Sequence, residues 1–283
     1  MRLVGAVPVL VDAEPEGYGL DIAAAERAIS TRTRALLAVH LYGEPVALEP
    51  LLFLAREREF RVVEDCSHGH GARRQGRHVG SFGDVGAVSC GVVKNLGAYG
   101  DAGIVITGDA EVAQRVRRLR VHGQTTRSNH VEYGTNSRLD ELQAAVLRVK
   151  LRRLEARNAR RRTIARYYRT ELRGQPIQLP EERPEQVPAF HQYVVQLSRR
   201  DAVRAWLAER GVETGVHYPV PLHRQPAWQG QYRPVGPFPR AEALADRILS
   251  LPISPDLTDA EVEFCAVAVR DALEACRVRG GAP

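Results

Sequence analysis

The chain has 283 residues, enough for one large or two modest domains with buried cores. It carries 40 Lys and Arg against 34 Asp and Glu, a net charge of +6 that is modest for this size and does not by itself mark a nucleic-acid binder. No apolar run approaches the roughly 18 residues of a spanning helix, and Met1 to Pro8 is too short and too soon broken by proline to read as a secretory signal.

In chain order, Val7 to Val11 reads as a short strand, Ile22 to Ser30 as a helix, and Ala35 to Val39 as a strand ending at His40. Glu49 to Glu59 is a helical pattern, followed by a strand over Arg61 to Glu64. Val85 to Ser89 and Ile104 to Thr107 are strand patterns flanking a glycine-rich loop. This alternation predicts an α/β layer on a mostly parallel sheet. One long helix is expected from Arg138 to Leu172, with Leu142, Val146, Val149 and Leu154 on its buried side. Ten basic residues crowd the stretch from Arg148 to Arg169. No aromatic residue interleaves with them before Tyr167, so they read as a solvated helix face rather than a nucleic-acid patch. Gly174 to Pro188 is a proline- and charge-rich connector. A strand (Gln192 to Leu197), a helix (Asp201 to Glu209), a Pro/His/Trp-rich loop (His217 to Pro239) and two further helical stretches follow. The expected domain boundary lies near residue 155, giving domains 1–155 and 156–283. The four cysteines, Cys66, Cys90, Cys265 and Cys276, form no CxxC pair, which suits a reduced, cytoplasmic setting.

The most informative residue is Lys94. Only two of the 40 basic residues are lysines, Lys94 and Lys150; the others are arginine. Arginine does not lose its proton at usable pH, whereas a desolvated lysine does, and can then form a Schiff base. About thirty residues upstream, Val62-Val63-Glu64-Asp65 is an apolar run ending in carboxylates. Side chains alternate along a strand, so only one of Glu64 and Asp65 can face a site at its end. A strand-end acid with a loop lysine is the pair that pyridoxal 5′-phosphate (PLP) chemistry needs. The lysine takes the aldehyde carbon, and the acid keeps the pyridine nitrogen protonated. The Gly97 to Gly103 run is not a dinucleotide loop, because a strand pattern rather than a helix follows it.

These residues sit in a series of motifs: Gly5 to Asp12, His40 to Gly43, Glu64 to Ala72, Gly80 to Asp84, Lys94 to Gly103, Asn136 to Ala145, Thr214 to Pro219 and Leu249 to Pro252. In order and spacing they resemble the DegT/DnrJ/EryC1/StrS family of PLP-dependent sugar aminotransferases over essentially the whole chain. The resemblance implies the type I PLP-transferase fold, an α/β large domain with one reversed strand and a smaller C-terminal α+β domain. It implies transfer of an amino group from glutamate or glutamine to a nucleotide-linked keto-sugar, or a related cyclitol ketone, by a homodimer. A sugar dehydratase branch of the family replaces the lysine with histidine and does not match Lys94. A non-catalytic homologue acting as a partner or structural subunit is the alternative of a different class.

Carried over position by position, the resemblance makes Lys94 the catalytic amine and proton shuttle, and Asp65 the partner of the pyridine nitrogen. It places His68, where the family usually has glutamine, against the cofactor, and gives Ser89 a phosphate contact. Asn136 would reach the phosphate of the neighbouring subunit, with Arg138 as an anion contact; the local reading of Asn136 is a helix N-cap. His217 and Tyr218 are expected at the substrate, and His40, Tyr42 and His191 near the same cleft. A metal pair of His68 and His70 lacks a third ligand and is not expected. Family members normally begin well before Met1, with a phosphate-binding turn and an aromatic residue that stacks on the ring. Gly91, Val92 and Val93 also replace aromatic and hydroxyl residues, so the chain is expected to bind PLP weakly.

Overall fold

A computed structural model describes residues 1–181 and 183–278. The chain divides into two compact units, one of residues 33–157 and 185–189, the other of residues 1–32, 158–184 and 190–283. Residues 1–32, expected with the first domain, cluster instead with the second unit.

The first unit is built on a four-stranded sheet: Ala35–Val39 (β1), Arg61–Asp65 (β2), Val85–Ser89 (β3) and Gly103–Ile106 (β4). The order is β1-β2-β3-β4; the first two pairings are parallel and β3 to β4 is antiparallel. This is the reversed strand that the resemblance implied. The helix Glu49–Glu57 (α1) enters through a proline in its first turn and buries Leu51, Leu54 and Ala55. The helix Ala110–Leu119 (α2) is capped by Asp109, whose carboxylate accepts the Glu111 and Val112 N–H groups. Arg74 ties the unit's stray segment, residues 185–189, to α1, since its guanidinium pairs with both Glu49 and Glu185.

The expected single helix from Arg138 to Leu172 is two helices, Glu141–Leu151 (α3) and Leu154–Glu171 (α4). Asp140, not Asn136, occupies the N-cap position of α3, so the capping reading of Asn136 is corrected. The expected buried side is also wrong in detail. Leu142 and Val149 are exposed, and Leu147 is the buried residue of α3, packed with Cys90, Leu96 and Ala98. The apolar seam is therefore narrow, and points at the loop that carries Lys94.

The second unit centres on α4, the antiparallel strands Tyr193–Gln196 (β5) and Ile248–Leu251 (β6), and the helices Arg200–Ala208 (α5), Pro239–Arg247 (α6) and Asp259–Val278 (α7). The apolar faces of α4, β5, α5, β6 and α7 form one core that includes Ile164, Tyr168, Tyr193, Leu207, Leu249 and Val269. The arginines of α4 are only partly a solvated face. Arg161 reaches the carbonyl oxygens of Phe190, His191 and Ile253, Arg160 reaches Leu257, and Arg169 donates to the carbonyl of Pro180. Guanidinium groups spent on backbone carbonyls are unavailable to phosphates, which weakens the nucleic-acid reading further. Among the described residues no helix is long and apolar enough to cross a membrane.

Candidate active site

Parallel strands β2 and β3 end side by side at Asp65 and Ser89, and the loop after β3 carries Lys94. Strand carboxyl ends are where open α/β sheets bind ligands. Alternation along β2 settles which carboxylate faces where. Glu64 is fully buried, whereas Asp65 is half-buried. Asp65 uses Oδ1 to accept the Ser67 N–H at 2.9 Å.

Glu64 is a structural anchor. Its Oε2 accepts from Gly80 N–H at 2.7 Å and from His40 Nε2 at 3.0 Å; its Oε1 accepts from Phe82 and Gly83 at 2.8 and 2.7 Å. Burial alone would raise its carboxyl, but the hydrogen bonds from His40, Gly83 and Gly80 outweigh burial and hold it below the ordinary carboxylate value. Val46 N–H donates to His40 Nδ1, so the His40 proton sits on Nε2, facing Glu64. His40 is thus a buried packing and hydrogen-bonding residue. His40, Glu64 and Cys66 come within metal-ligating reach of one another, but the ring nitrogens of His40 and both oxygens of Glu64 are already engaged.

Lys94 is half-buried in a turn that its own N–H closes on Gly91 O at 2.9 Å. Burial lowers its ammonium below the ordinary lysine value, and the charge of Asp65 opposes that. A larger fraction of neutral amine is the state a nucleophile and proton carrier needs. His70, which the sequence reading weighed only as half of a metal pair, is buried against the Ser89 backbone and feels the Lys94 charge. Burial first, and Lys94 second, push its imidazole down to about 4 against the hydrogen bond to Ser89, so it is neutral. His68 is buried and its Nδ1 accepts the Tyr42 N–H at 3.1 Å, which places the proton of the neutral ring on Nε2. Ser89 Oγ lies 3.4 Å from the Gly91 N–H.

Asp65, Ser89 and Lys94, with buried His70 next to Ser89 and Lys94, supply a carboxylate, a hydroxyl and a partly desolvated amine at one end of one sheet. That donor set fits PLP: an amine for the aldehyde, an acid for the ring nitrogen and a hydroxyl for the phosphate. Asn136 and Arg138 are exposed and bonded to each other, Arg138 Nε donating to Asn136 Oδ1 at 3.0 Å, with Asn136 bridged to Val121. His217 and Tyr218 belong to the other unit. There His217 Nδ1 lies 2.8 Å from Ser250 Oγ, and its ring meets the exposed Tyr218 ring edge-on at 5.8 Å. Burial lowers the His217 imidazole below its ordinary value.

The sequence profile of the DegT/DnrJ/EryC1/StrS aminotransferase family matches residues 1–270. The dTDP-3-amino-3,4,6-trideoxy-alpha-D-glucose transaminase of Streptomyces venezuelae is 46% identical over 268 residues, which are 94% of this chain and 71% of that protein. The UDP-N-acetyl-3-dehydro-alpha-D-glucosamine 3-aminotransferase of Acidithiobacillus ferrooxidans is 43% identical over 95% of this chain and 73% of its own length. Among solved structures, DesV of S. venezuelae superposes with a TM-score of 0.91 at 41% identity, covering 96% of this chain and 81% of that one. The chain belongs to the DegT/DnrJ/EryC1/StrS aminotransferase family.

Proposed function

We propose that the chain is a PLP-dependent aminotransferase that moves an amino group from glutamate or glutamine to the ketone of a nucleotide-linked sugar. The observation that carries this reading is the pairing of a half-buried Lys94 with Asp65 at neighbouring strand ends in a member of this family. The nucleotide-sugar substrate follows from the transaminases of S. venezuelae and A. ferrooxidans that the chain resembles.

Bound PLP supplies an electron sink for the substrate carbon that gains or loses nitrogen. Lys94 would hold the cofactor through Nζ and would carry the proton at that carbon, for which its lowered proton affinity prepares it. Asp65 would face the pyridine nitrogen, and Ser89 Oγ would donate to the phosphate. His68, with its Nε2 proton fixed by the Tyr42 N–H, donates rather than accepts towards the ring. His217 and Tyr218 contact the sugar. The enzyme works as a cytoplasmic homodimer in which Asn136 and Arg138 of one subunit serve the other's phosphate; their exposure in the single chain suits that role.

The test is chemical. PLP is added to the purified chain, borohydride fixes the adduct, and peptide mass mapping locates it. The adduct is expected on Lys94 and absent from Lys94→Ala; an adduct on Lys150 instead would overturn the assignment. Amino transfer from glutamate to a dTDP- or UDP-linked keto-sugar, followed by mass spectrometry of the product, tests the substrate class.

A further inference from the structure

The chain's second lysine stands apart from the chemistry described so far, in a sequence that uses arginine at every other basic position. Lys150 lies on α3, and its Nζ donates to Gly97 O at 2.7 Å. The same ammonium stands 4.6 Å from the centroid of the Tyr99 ring. Two turns earlier on α3, Gln143 Oε1 accepts the Tyr99 N–H at 2.8 Å. Between them Leu147 packs on Leu96 and Ala98. Residues 143, 147 and 150 follow the i, i+4, i+7 spacing of one helix face. That face therefore grips Leu96 to Tyr99 by an apolar contact, an amide acceptor and an ammonium.

The gripped segment is coupled to Lys94. Ala98 N–H returns to Cys90 O at 2.9 Å and Lys94 N–H closes on Gly91 O at 2.9 Å. Gly97 lies so close to the start of the loop that a Cβ there would stand 2.3 Å from Val92 O and 3.0 Å from Gly91 O. A movement of Gly97 is thus felt directly by the turn that presents Lys94.

We propose that Lys150 is a positioning residue for Lys94, tethering the far side of the Cys90 to Gly100 loop so that the catalytic amine is held at the end of β3. The proposal rests on the reading that Lys94 carries the cofactor. It also accounts for the residue type. Where this chain binds several carbonyls at once it uses the guanidinium fork, as at Arg161 and Arg200. Lys150 meets a single carbonyl beneath an aromatic face, which suits a compact ammonium.

The experiment compares the wild-type chain with Lys150→Met by two readouts. The first is hydrogen exchange of the Ala98 and Tyr99 amides, with Val63 in β2 as internal reference. The second is the PLP concentration at which borohydride fixes half of Lys94. Loss of the tether is expected to cost about tenfold in Ala98 and Tyr99 protection, the worth of one such hydrogen bond, with Val63 unchanged. The half-labelling concentration is expected to rise by a similar factor. Both readouts within twofold of wild type would overturn the proposal, as would equal loss of protection at Val63, which would mean general destabilisation. If Lys150→Met does not fold, Lys150→Arg, which keeps charge and stem, is judged by the same two readouts and limits. A wild-type adduct on Lys150 would sink the cofactor assignment itself. A wild-type adduct on Lys94 with an indifferent Lys150→Met would remove only the tether.

Discussion

His70 offers a test of the site's electrostatics that needs no ligand. Its imidazole is 5% exposed and is pushed from an ordinary 6.5 down to about 4, first by burial and then by the charge of Lys94. Between those values the unfolded chain binds a proton that the folded chain does not. The contribution of neutral His70 is therefore fully present above about pH 6.5 and is lost as pH falls towards 4. Each pH unit of that window is worth about 1.36 kcal/mol, so the window holds about 3 kcal/mol. The perturbation is His70→Gln, which keeps a hydrogen-bond donor for the Ser89 carbonyl and does not titrate. Urea unfolding of both proteins, followed by circular dichroism from about pH 7.5 to about pH 4.5, gives two stability curves. Every carboxylate contributes equally to both and cancels in their difference, as does any fixed cost of the substitution. Wild type is expected to lose about 2–3 kcal/mol more than His70→Gln across the range. Parallel curves would refute the reasoning, because they would mean that the folded imidazole accepts its proton as readily as the unfolded one.

Glu64→Gln should cost about 3–5 kcal/mol near neutral pH in the same unfolding assay, since it leaves His40 and the N–H groups of Gly80, Phe82 and Gly83 without their carboxylate. The Glu64 carboxyl is held low, so its contribution is present above the unfolded carboxyl's pKa and lost as pH falls through the folded one; a change under about 0.5 kcal/mol would be that of an unremarkable surface site. At the other unit, a Cβ on Gly215 would stand 2.4 Å from the His217 ring, so Gly215→Ala should drive the imidazole off Ser250. If His217 contacts the sugar, the KM for the keto-sugar should rise with kcat little changed, and an unaltered KM with a crystallographically displaced ring would remove His217 from the substrate site.

Much of the sheet was legible because its strands are short, nearly continuous apolar runs bounded by turn residues, as over Ala35 to Val39 or Val85 to Ser89. The Glu64-Asp65 pair was legible because side chains alternate along a strand: one carboxylate had to point inward and one outward, and the structure buries Glu64 completely. What alternation did not reveal is the work Glu64 does, because its partners Gly80, Phe82 and Gly83 lie beyond a turn and are joined to it only by backbone N–H groups. The break between α3 and α4 was missed because Arg152 and Arg153 are good helix formers, with no proline or glycine to mark the stop. The inward side of α3 was misread because an apolar stripe of Leu142, Val146 and Val149 satisfies a helical period although Leu142 and Val149 are exposed in the single chain. Periodicity reports that a face is apolar; only contacts report what meets it.

Arginine at nearly every basic position looks like bias alone, and for exposed positions on α3 and α4 nothing in the structure contradicts that. At buried and half-buried positions the guanidinium is put to use. Arg161 reaches three carbonyls, Arg74 two carboxylates, and Arg200 the carbonyls of Ala245 and Ile248. A planar fork of five donors suits such convergent acceptors, and a lysine at those sites would leave some of them unpaired. The two lysines are exceptions for different physical reasons. At position 94 the requirement is a proton that can be given up, which arginine does not meet. At position 150 the requirement is one donor small enough to sit between a carbonyl and a ring. The scarcity that made Lys94 conspicuous in the sequence thus applies equally to Lys150, and the contacts of each with the same loop explain why neither is arginine.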